Sequence, residues 1–294
     1  MKKRLYVDFH VLQTVPPSCI NRDDTGSPKT AIYGGVTRAR VSSQAWKHAM
    51  RQAFVEESLL DEEDVGKRTK KVTELVEKEI AALAPEKDAA KLAKKTLDNA
   101  GIKNDEKGTK ALFFISQAQI KALAQLAVEE CADKKEYKKA LSTAPSADIA
   151  LFGRMVADDP SLNFDAAAQV AHSISTHAVQ NEYDYFTAVD DCQVEDNAGA
   201  GHLGTVEYNS ATLYRYATVN VMELERHLGA EKATEVVRSF GEAFIRSMPT
   251  GKQNTFANRT LPDAVYVTIR EDQPVNLCGA FERAVRKSAE GYAE

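Results

Sequence analysis

One strand-to-helix corner near the start of the chain carries side chains suited to binding phosphate. In the stretch VTRARVSSQAWKHAMRQAF (residues 36–54), a short strand over Thr37–Val41 leads into an amphipathic helix. The polar and basic residues that begin this helix are Ser42, Ser43, Gln44, Lys47 and Arg51. Either serine can cap the helix, since its hydroxyl accepts from free N–H groups of the first turn. A helix N-terminus followed by two cations on one face predicts contacts with phosphates, which fix position without reading sequence.

Other chemistry-bearing residues do not form a recognisable catalytic or metal site. His172 and His177 are five residues apart, whereas a helical metal pair needs four, so we expect both to be buried structural side chains. TGKQN (residues 250–254) lacks the other residues of a phosphate loop. The spacing of a second group matches no known zinc site: Asp184, Asp190, Asp191, Cys192 and His202. We therefore predict a non-enzyme with no metal and no cofactor.

The charge distribution favours a polyanion as partner, although the total charge does not. The 294 residues carry a formal net charge of −5. Residues 1–55 contain nine Lys or Arg and three Asp, a net charge of +6, which leaves −11 for the remainder. Such asymmetry is typical of a nucleic-acid-binding face, and chance clustering on a solvated surface is the alternative.

Composition also limits where the protein works. No run of eighteen apolar residues is present, and the alternating start MKKRLYVDFHVLQTV is unlike a secretory leader. The four cysteines form no C-x-x-C pair, which argues against a disulfide scaffold and a zinc knuckle. We expect a cytoplasmic protein with no membrane partner.

Hydrophobic periodicity predicts an α+β fold. Residues 4–14 alternate as a half-buried strand, residues 16–35 form a long loop, and residues 57–147 have helical periods. Residues 166–179 fit either a strand or a buried helix. The later elements are a glycine-rich hairpin tip (195–205), a strand (206–221), a helix (233–248), a strand (263–271) and a last helix (277–291). This order favours an antiparallel sheet with helices on one face, in a ferredoxin-like or RNA-recognition-type core.

The first strand lacks the aromatic signature of a base-stacking sheet. Tyr6 and Phe9 point to opposite faces, so stacking of bases on the sheet is not expected.

Several blocks of the sequence resemble the CasC family, the backbone subunits of the type I-E CRISPR surveillance complex, Cascade. The longest runs from His10 to Arg51 and contains SCINRDD and RARVSSQ. The others, in order, are DIALFGRM (148–155), AHSISTH (171–177), DYFTAVDD (184–191), HLGTVEYNSATLYRYATVNV (202–221) and TGKQNTFAN (250–258). The similarity is weakest across the helical insertion.

The resemblance implies an architecture like a right hand. A modified RNA-recognition fold is the palm, a helical insertion forms the fingers, and a β-hairpin forms the thumb. The implied boundaries are palm at 1–56, fingers at 57–168, palm at 169–182, thumb at 183–207 and palm at 208–294.

The resemblance also implies a function. Copies assemble head-to-tail into a hexameric backbone along one crRNA, which is kinked regularly and pairs with target DNA, and other Cascade subunits complete the antiviral complex. The residues matching RNA contacts are Arg22, Lys29, Ser42, Ser43, Gln44, Lys47, Arg51, Arg154 and Met155, with Met155 as an apolar wedge. Phe186, Thr187 and Leu203 match the thumb residues at the kink.

A metal-dependent RNA-cleaving subunit of a type III-like complex is the alternative. Asp23 and Asp24 in the long loop are its candidate ligands. An Asp pair beside glycine is more often turn chemistry.

Overall fold

The computed structural model describes residues 4–105, 108–156, 159–187 and 203–286. Within them the strands are β1 Tyr6–Ser18, β2 Thr30–Tyr33, β3 Val36–Val41, β4 Lys67–Thr69, β5 Asn104–Asp105, β6 Gly108–Thr109, β7 Phe113–Ile115, β8 Ala168–Val170, β9 Ser173–Ser175, β10 Glu182–Thr187, β11 Leu203–Asn220 and β12 Ala264–Arg270. The helices are α1 Ser43–Glu56, α2 Val72–Leu83, α3 Ala89–Ala100, α4 Gln117–Val128, α5 Lys134–Ser142, α6 Ala147–Phe152, α7 Val221–Leu228, α8 Ala230–Arg246 and α9 Gln253–Phe256.

An eight-stranded sheet organises the chain. Its order is β12-β1-β11-β9-β3-β2, with β8 and β10 also paired to β11, and each of these pairs is antiparallel. The predicted α+β class with an antiparallel sheet is confirmed. Residues 166–179, which the sequence left open, contribute strands β8 and β9 rather than a helix.

The loop predicted over residues 16–35 is wrong at both ends. β1 continues to Ser18, with a register irregularity between Val15 and Ser18 where two prolines lack N–H donors. β2 then pairs with β3 through a turn at Gly34 and Gly35, which both have positive φ. The loop is therefore shorter than predicted, and the β2–β3 hairpin leads directly into α1.

Aromatic packing between the sheet and α8 forms the centre of the main core. Phe9 of β1 lies 5.6 Å from Phe240 and 6.3 Å from Phe244, measured between ring centroids. A Cβ at Gly241 would lie 2.7 Å from the Phe9 ring, so glycine allows the helix to approach the strand closely. Arg215 is buried against the Trp46 ring at 3.8 Å, and burial lowers the pKa of its guanidinium to about 9.

The helical region (residues 66–146) has a separate core. Its buried apolar residues come from α2, α3, α4, α5 and β7, together with Ile102 after α3 and Leu162 in the 3-10 turn at Pro160–Leu162. Ser116 caps α4 in a reciprocal capping box with Gln119, which fixes the start of the helix behind β7. In the described part of the chain, no helix combines the length and apolar character needed to cross a membrane.

Strand β1 is covered on both faces, so the prediction of a half-buried strand is wrong. Phe9 faces α8, whereas Asp8 and His10 point to the opposite face and are also buried. The C-terminal strap (residues 273–286) lies across that second face. Its Val275 N–H donates to Asp8 Oδ2 at 2.9 Å, and its Leu277 N–H donates to the Tyr214 hydroxyl at 3.0 Å.

The helix predicted from Leu277 is also wrong over its described part. Only a 3-10 turn forms at Leu277–Phe281, and no helix follows as far as residue 286. Arg38 donates to the carbonyls of Phe281 and Glu282 at 2.9 and 3.1 Å, and Val285 N–H donates to Thr176 O. Contacts with the sheet therefore use backbone groups that a helix would need for itself.

Candidate nucleic-acid interface

The turn from β3 into α1 is built by Ser42. Its backbone is extended, with φ −70° and ψ 148°, and its Oγ accepts from Ala45 N at 3.3 Å. Its own N–H donates to Asn21 Oδ1 at 2.9 Å, which joins the corner to the preceding loop. Ser42 is buried and serves as the cap, while Ser43 is half-buried and Gln44 is exposed at the start of the helix.

Lys47 lies one turn into α1, beside an aromatic ring. Its Nζ is 5.7 Å from the centroid of Phe152 in α6. Burial of the side chain lowers the pKa of its ammonium group. Within the described residues no ion pair joins Lys47 to a carboxylate. Its cation is therefore available to a phosphate.

Arg51, one turn further, is already engaged inside the protein. Its Nε donates to Asp148 Oδ2 at 2.8 Å and its terminal nitrogen donates to Gly66 O at 2.9 Å. The guanidinium carbon lies 4.5 Å from the Phe114 ring centroid. The structure thus places Arg51 one turn after Lys47, as the sequence predicted, but its guanidinium is engaged by Asp148 and Gly66.

Arg154 and Met155 have opposite environments although they are adjacent. Arg154 is 4% exposed and donates to three carbonyl oxygens and one amide oxygen. Burial lowers the pKa of Arg154 to about 10. Met155 is 88% exposed. The placement of Met155 suits an apolar wedge, whereas the Arg154 guanidinium faces the interior.

One cleft joins the exposed side of α1 to the helical region. Its volume is about 620 Å³. This basic cleft is lined by Gln44, Lys47, His48, Arg51, Arg68, Leu112, Phe114, Phe152, Gly153, Arg154, Met155, Asn163, Phe164, Asp165 and Ala166. It therefore unites five residues predicted from sequence, and combines cations with apolar side chains, the composition expected of a single-stranded nucleic-acid groove.

Arg22 and Lys29 lie outside the basic cleft. Arg22 is exposed and lines a separate cleft of about 520 Å³ between the loop after β1 and Gly251. Lys29 is half-buried, and its N–H donates to Asn21 O at 2.9 Å. The nearby Arg40 contacts the ring of His172, with 3.2 Å between nitrogens.

Asp23 organises its own loop. Its Oδ1 accepts from Thr25 N at 2.9 Å, Thr25 Oγ1 at 2.7 Å and Ser27 N at 3.0 Å. The Thr25 hydroxyl bond is the main cause that lowers the pKa of Asp23. Such bonds are those of an Asx turn.

Within the described residues, no three His, Cys, Asp or Glu side chains cluster as metal ligands. The expectation that both histidines are buried is correct for His177, which is 5% exposed, and wrong for His172, which is exposed. Asp184 is exposed on β10. The remaining members of that sequence group lie outside the described residues: Asp190, Asp191, Cys192 and His202.

Strands β10 and β11 form a hairpin that carries aromatic side chains on both faces. Phe186 lies opposite Gly204, and a Cβ at Gly204 would come 2.2 Å from the Phe186 ring. Phe186 is 44% exposed, while Tyr183 and Tyr185 on the other face are 67% and 64% exposed. The predicted glycine-rich tip lies largely outside the described residues.

The same hairpin contains the other two positions that the resemblance predicts to be thumb residues. Thr187 is exposed and pairs with Leu203 at the last described register position.

The sequence analysis did not identify some residues of these surfaces. Arg68 and Leu112 line the basic cleft from the helical region, where the sequence shows only solvated helices and no local signal marks them. For Tyr183 and Tyr185 the sequence did contain a signal, because aromatic residues two positions apart in a strand lie on the same face.

Comparison with known proteins gives a family match and similar solved structures. Residues 7–294 match the family described as CT1975-like protein. The chain belongs to the CT1975-like family. A chain of a solved "CRISPR RNA-guided surveillance complex, pre-nicking" is 35% identical, with a TM-score of 0.77 over 98% of this chain and 84% of that one. A chain of a "CRISPR RNA-guided surveillance complex" is 33% identical, with a TM-score of 0.62 over 98% and 78%. Curated proteins give no match.

These findings confirm the resemblance to the Cascade backbone family seen in the sequence. The family match and the two structural matches support the assignment of this CT1975-like protein as a component of a CRISPR surveillance complex.

Proposed function

We propose that this CT1975-like protein is a non-catalytic crRNA-binding subunit that forms the hexameric, head-to-tail backbone of a type I-E Cascade complex in the cytoplasm. The sheet with α1 and α8 acts as an RNA-recognition-like palm, the helical region as fingers, and the β10–β11 hairpin as a thumb. The basic cleft between α1 and the helical region is the observation that carries the proposal.

The cleft supports binding through the RNA backbone. Lys47 and Arg68 present cations to it, and Gln44 adds an exposed amide at the start of α1. A guide has a different sequence in each complex, so a backbone subunit must hold phosphates and riboses rather than read base edges. We further propose that Ser43 at the corner, and Arg22 and Lys29 in the loop after β1, also contact the RNA backbone.

The covered sheet face supports the same mode of binding. In a standard RNA-recognition domain, bases stack on aromatic residues of the open sheet face. Here the strap lies on that face against Asp8 and Tyr214, and the aromatic residues His10, Tyr214 and Tyr216 of the face are buried. A guide held in the cleft instead keeps its bases free for pairing with target DNA.

Exposed apolar side chains supply the kink. Met155 at the cleft and Phe186 on the hairpin would separate neighbouring bases, since an apolar wedge unstacks any base alike. Thr187 and Leu203 are the other hairpin positions proposed to lie at the kink. Aromatic stacking on a base is worth roughly 1–3 kcal/mol. A thumb that reaches the adjacent copy accounts for the exposed aromatic side chains on both faces of the hairpin.

Head-to-tail contacts are heterologous and do not close on themselves, so something must set the length of the assembly. We assign this role to the RNA, with weak contacts between free copies. Other Cascade subunits then bind the ends.

Native mass spectrometry of the purified protein with single-stranded RNAs of increasing length tests the proposal. We expect mass to rise by one subunit per fixed increment of RNA, with the RNA intact in magnesium. Long filaments of RNA-free protein at micromolar concentration would contradict assembly on RNA. RNA cut at regular intervals, and left intact by Asp23→Ala or Asp24→Ala, would favour the nuclease alternative.

A further inference from the structure

A single buried carboxylate joins the two walls of the basic cleft. Asp148, in the first turn of α6, is fully buried. Its Oδ2 accepts from Arg51 Nε at 2.8 Å, and its Oδ1 accepts from Gly66 N at 2.8 Å and from Ser146 Oγ at 2.6 Å. These donors come from α1 and from the two ends of the helical region. One side chain therefore joins the start of α6 to Gly66 and Arg51, which lie 82 and 97 residues earlier in the sequence.

Arg51 reinforces the same junction from the other side. Its terminal nitrogen donates to Gly66 O at 2.9 Å, so Gly66 is bonded through both its N–H and its carbonyl. Its guanidinium also lies over the ring of Phe114, which belongs to β7, the strand that pairs with β4 in the helical region. Because both walls of the cleft are fixed to this pair, its geometry sets their separation.

We propose that Asp148 is a positioning residue for RNA binding, acting through Arg51 to fix the helical region against α1. Lys47 lies one turn before Arg51 on one wall, and Met155 lies seven residues after Asp148 on the other. The inference rests on the proposed function, since it names the residues that set the shape of the same cleft. It also changes the role of Arg51, from a phosphate contact to a brace.

The direction in which one charge substitution changes RNA affinity distinguishes this positioning role from simple electrostatic repulsion. RNA is a polyanion, so removing a carboxylate close to its groove should strengthen binding. Asp148→Asn keeps the size of the side chain and one acceptor oxygen, but loses the charge that holds Arg51. If Asp148 positions the walls, RNA affinity should fall by about tenfold, equivalent to about 1.4 kcal/mol. The slope of affinity against salt should stay unchanged, because no phosphate contact is lost.

Asp165→Asn is the matched control. Asp165 lines the same cleft and is exposed, so its removal should leave affinity unchanged or raise it. Arg51→Gln should weaken binding about as much as Asp148→Asn, and the double variant should be no worse than either single one. Fluorescence anisotropy with a labelled single-stranded RNA across a salt series measures the affinities of the wild-type protein and the four variants.

Three results of the binding assay would overturn the proposal. Stronger binding by Asp148→Asn would show ordinary electrostatics, and additive losses would show independent roles. A decrease in salt slope of about 0.7 for Arg51→Gln would mean that Arg51 contacts a phosphate directly. Thermal melting checks that each variant folds. If Asp148→Asn does not fold, Ser146→Ala removes one bond to the same carboxylate and should still lower affinity.

Hydrogen exchange distinguishes a failure of the positioning role of Asp148 from a failure of the proposed RNA-binding function. The Gly66 amide should be protected in the wild-type protein and lose protection in Asp148→Asn, with or without RNA. Wild-type protein that binds no RNA although its Gly66 amide is protected would refute the proposed function. The junction at Asp148 would then be intact but would have no role in RNA binding. Equal exchange of Gly66 in both proteins would show that Asp148 does not fix the junction.

Discussion

The neighbours Arg154 and Met155 provide the strongest test of how the cleft works, because the structure assigns them opposite effects. Arg154 donates to Leu162 O, Phe114 O, Gln119 Oε1 and Leu141 O at 2.7–3.2 Å, all buried contacts. At a net contribution of about 1 kcal/mol per bond, Arg154→Met should lower the free energy of unfolding by about 4 kcal/mol. That is a large part of the 5–15 kcal/mol typical of a folded protein.

Met155→Ala should behave in the opposite way. Its side chain is 88% exposed, so the free energy of unfolding should change by no more than about 0.5 kcal/mol. An apolar contact with one base is worth about 1 kcal/mol, at the low end of the range for aromatic stacking, and its loss should weaken RNA binding about fivefold.

Urea unfolding and RNA titration of the two variants check these values. Leu83→Ala is the control, since Leu83 is 50% exposed on α2 and does not line the cleft; it should change neither quantity. A loss of 2 kcal/mol or more in Met155→Ala would mark Met155 as a core residue. Wild-type stability in Arg154→Met, together with a smaller salt slope, would mean that Arg154 contacts RNA, and the reasoning from burial would be wrong.

Three further predictions concern charge, the hairpin and pH. Lys47→Ala should flatten the salt dependence of RNA affinity by about 0.7 for the lost phosphate contact, and Lys78→Ala on α2 should not; equal slopes would remove Lys47 from the interface. Phe186→Ala should leave thermal stability nearly unchanged but impair pairing of the guide with target DNA, whereas a large drop in melting temperature would identify Phe186 as core. Burial and the nearby Arg38 charge lower the pKa of His177 below 6.5, so its stabilising contribution is present above pH 6.5 and is lost as pH falls. His177→Gln should therefore reduce the decline of melting temperature with acidification, and an equally steep decline in the variant would contradict this assignment.

Local chemistry explains which parts of the fold were predictable. The corner from β3 to α1 follows from Ser42 and from the apolar spacing of Trp46 and Met50, since both signals act within a few residues. Strand β12 and helix α8 were likewise visible as periodic patterns.

The failed predictions involve partners that are distant in sequence. Asp8 and His10 appeared to face solvent, because nothing near β1 shows that residues 273–286 return to cover them. The helix predicted from Leu277 fails because Arg38, more than two hundred residues earlier, takes its carbonyls.

The sequence by itself determined the family, the α+β class and the location of a basic corner near residues 42–51, because motifs and periodicity depend on neighbours along the chain. Only the tertiary structure decided which basic side chains remain available to a ligand. Arg51 meets Asp148 across 97 residues of sequence, and Arg154 meets carbonyls of the helical region, while Lys47 has no such carboxylate within the described residues. The physical reason is that a buried cation must find oxygen partners, and folding alone brings those partners together.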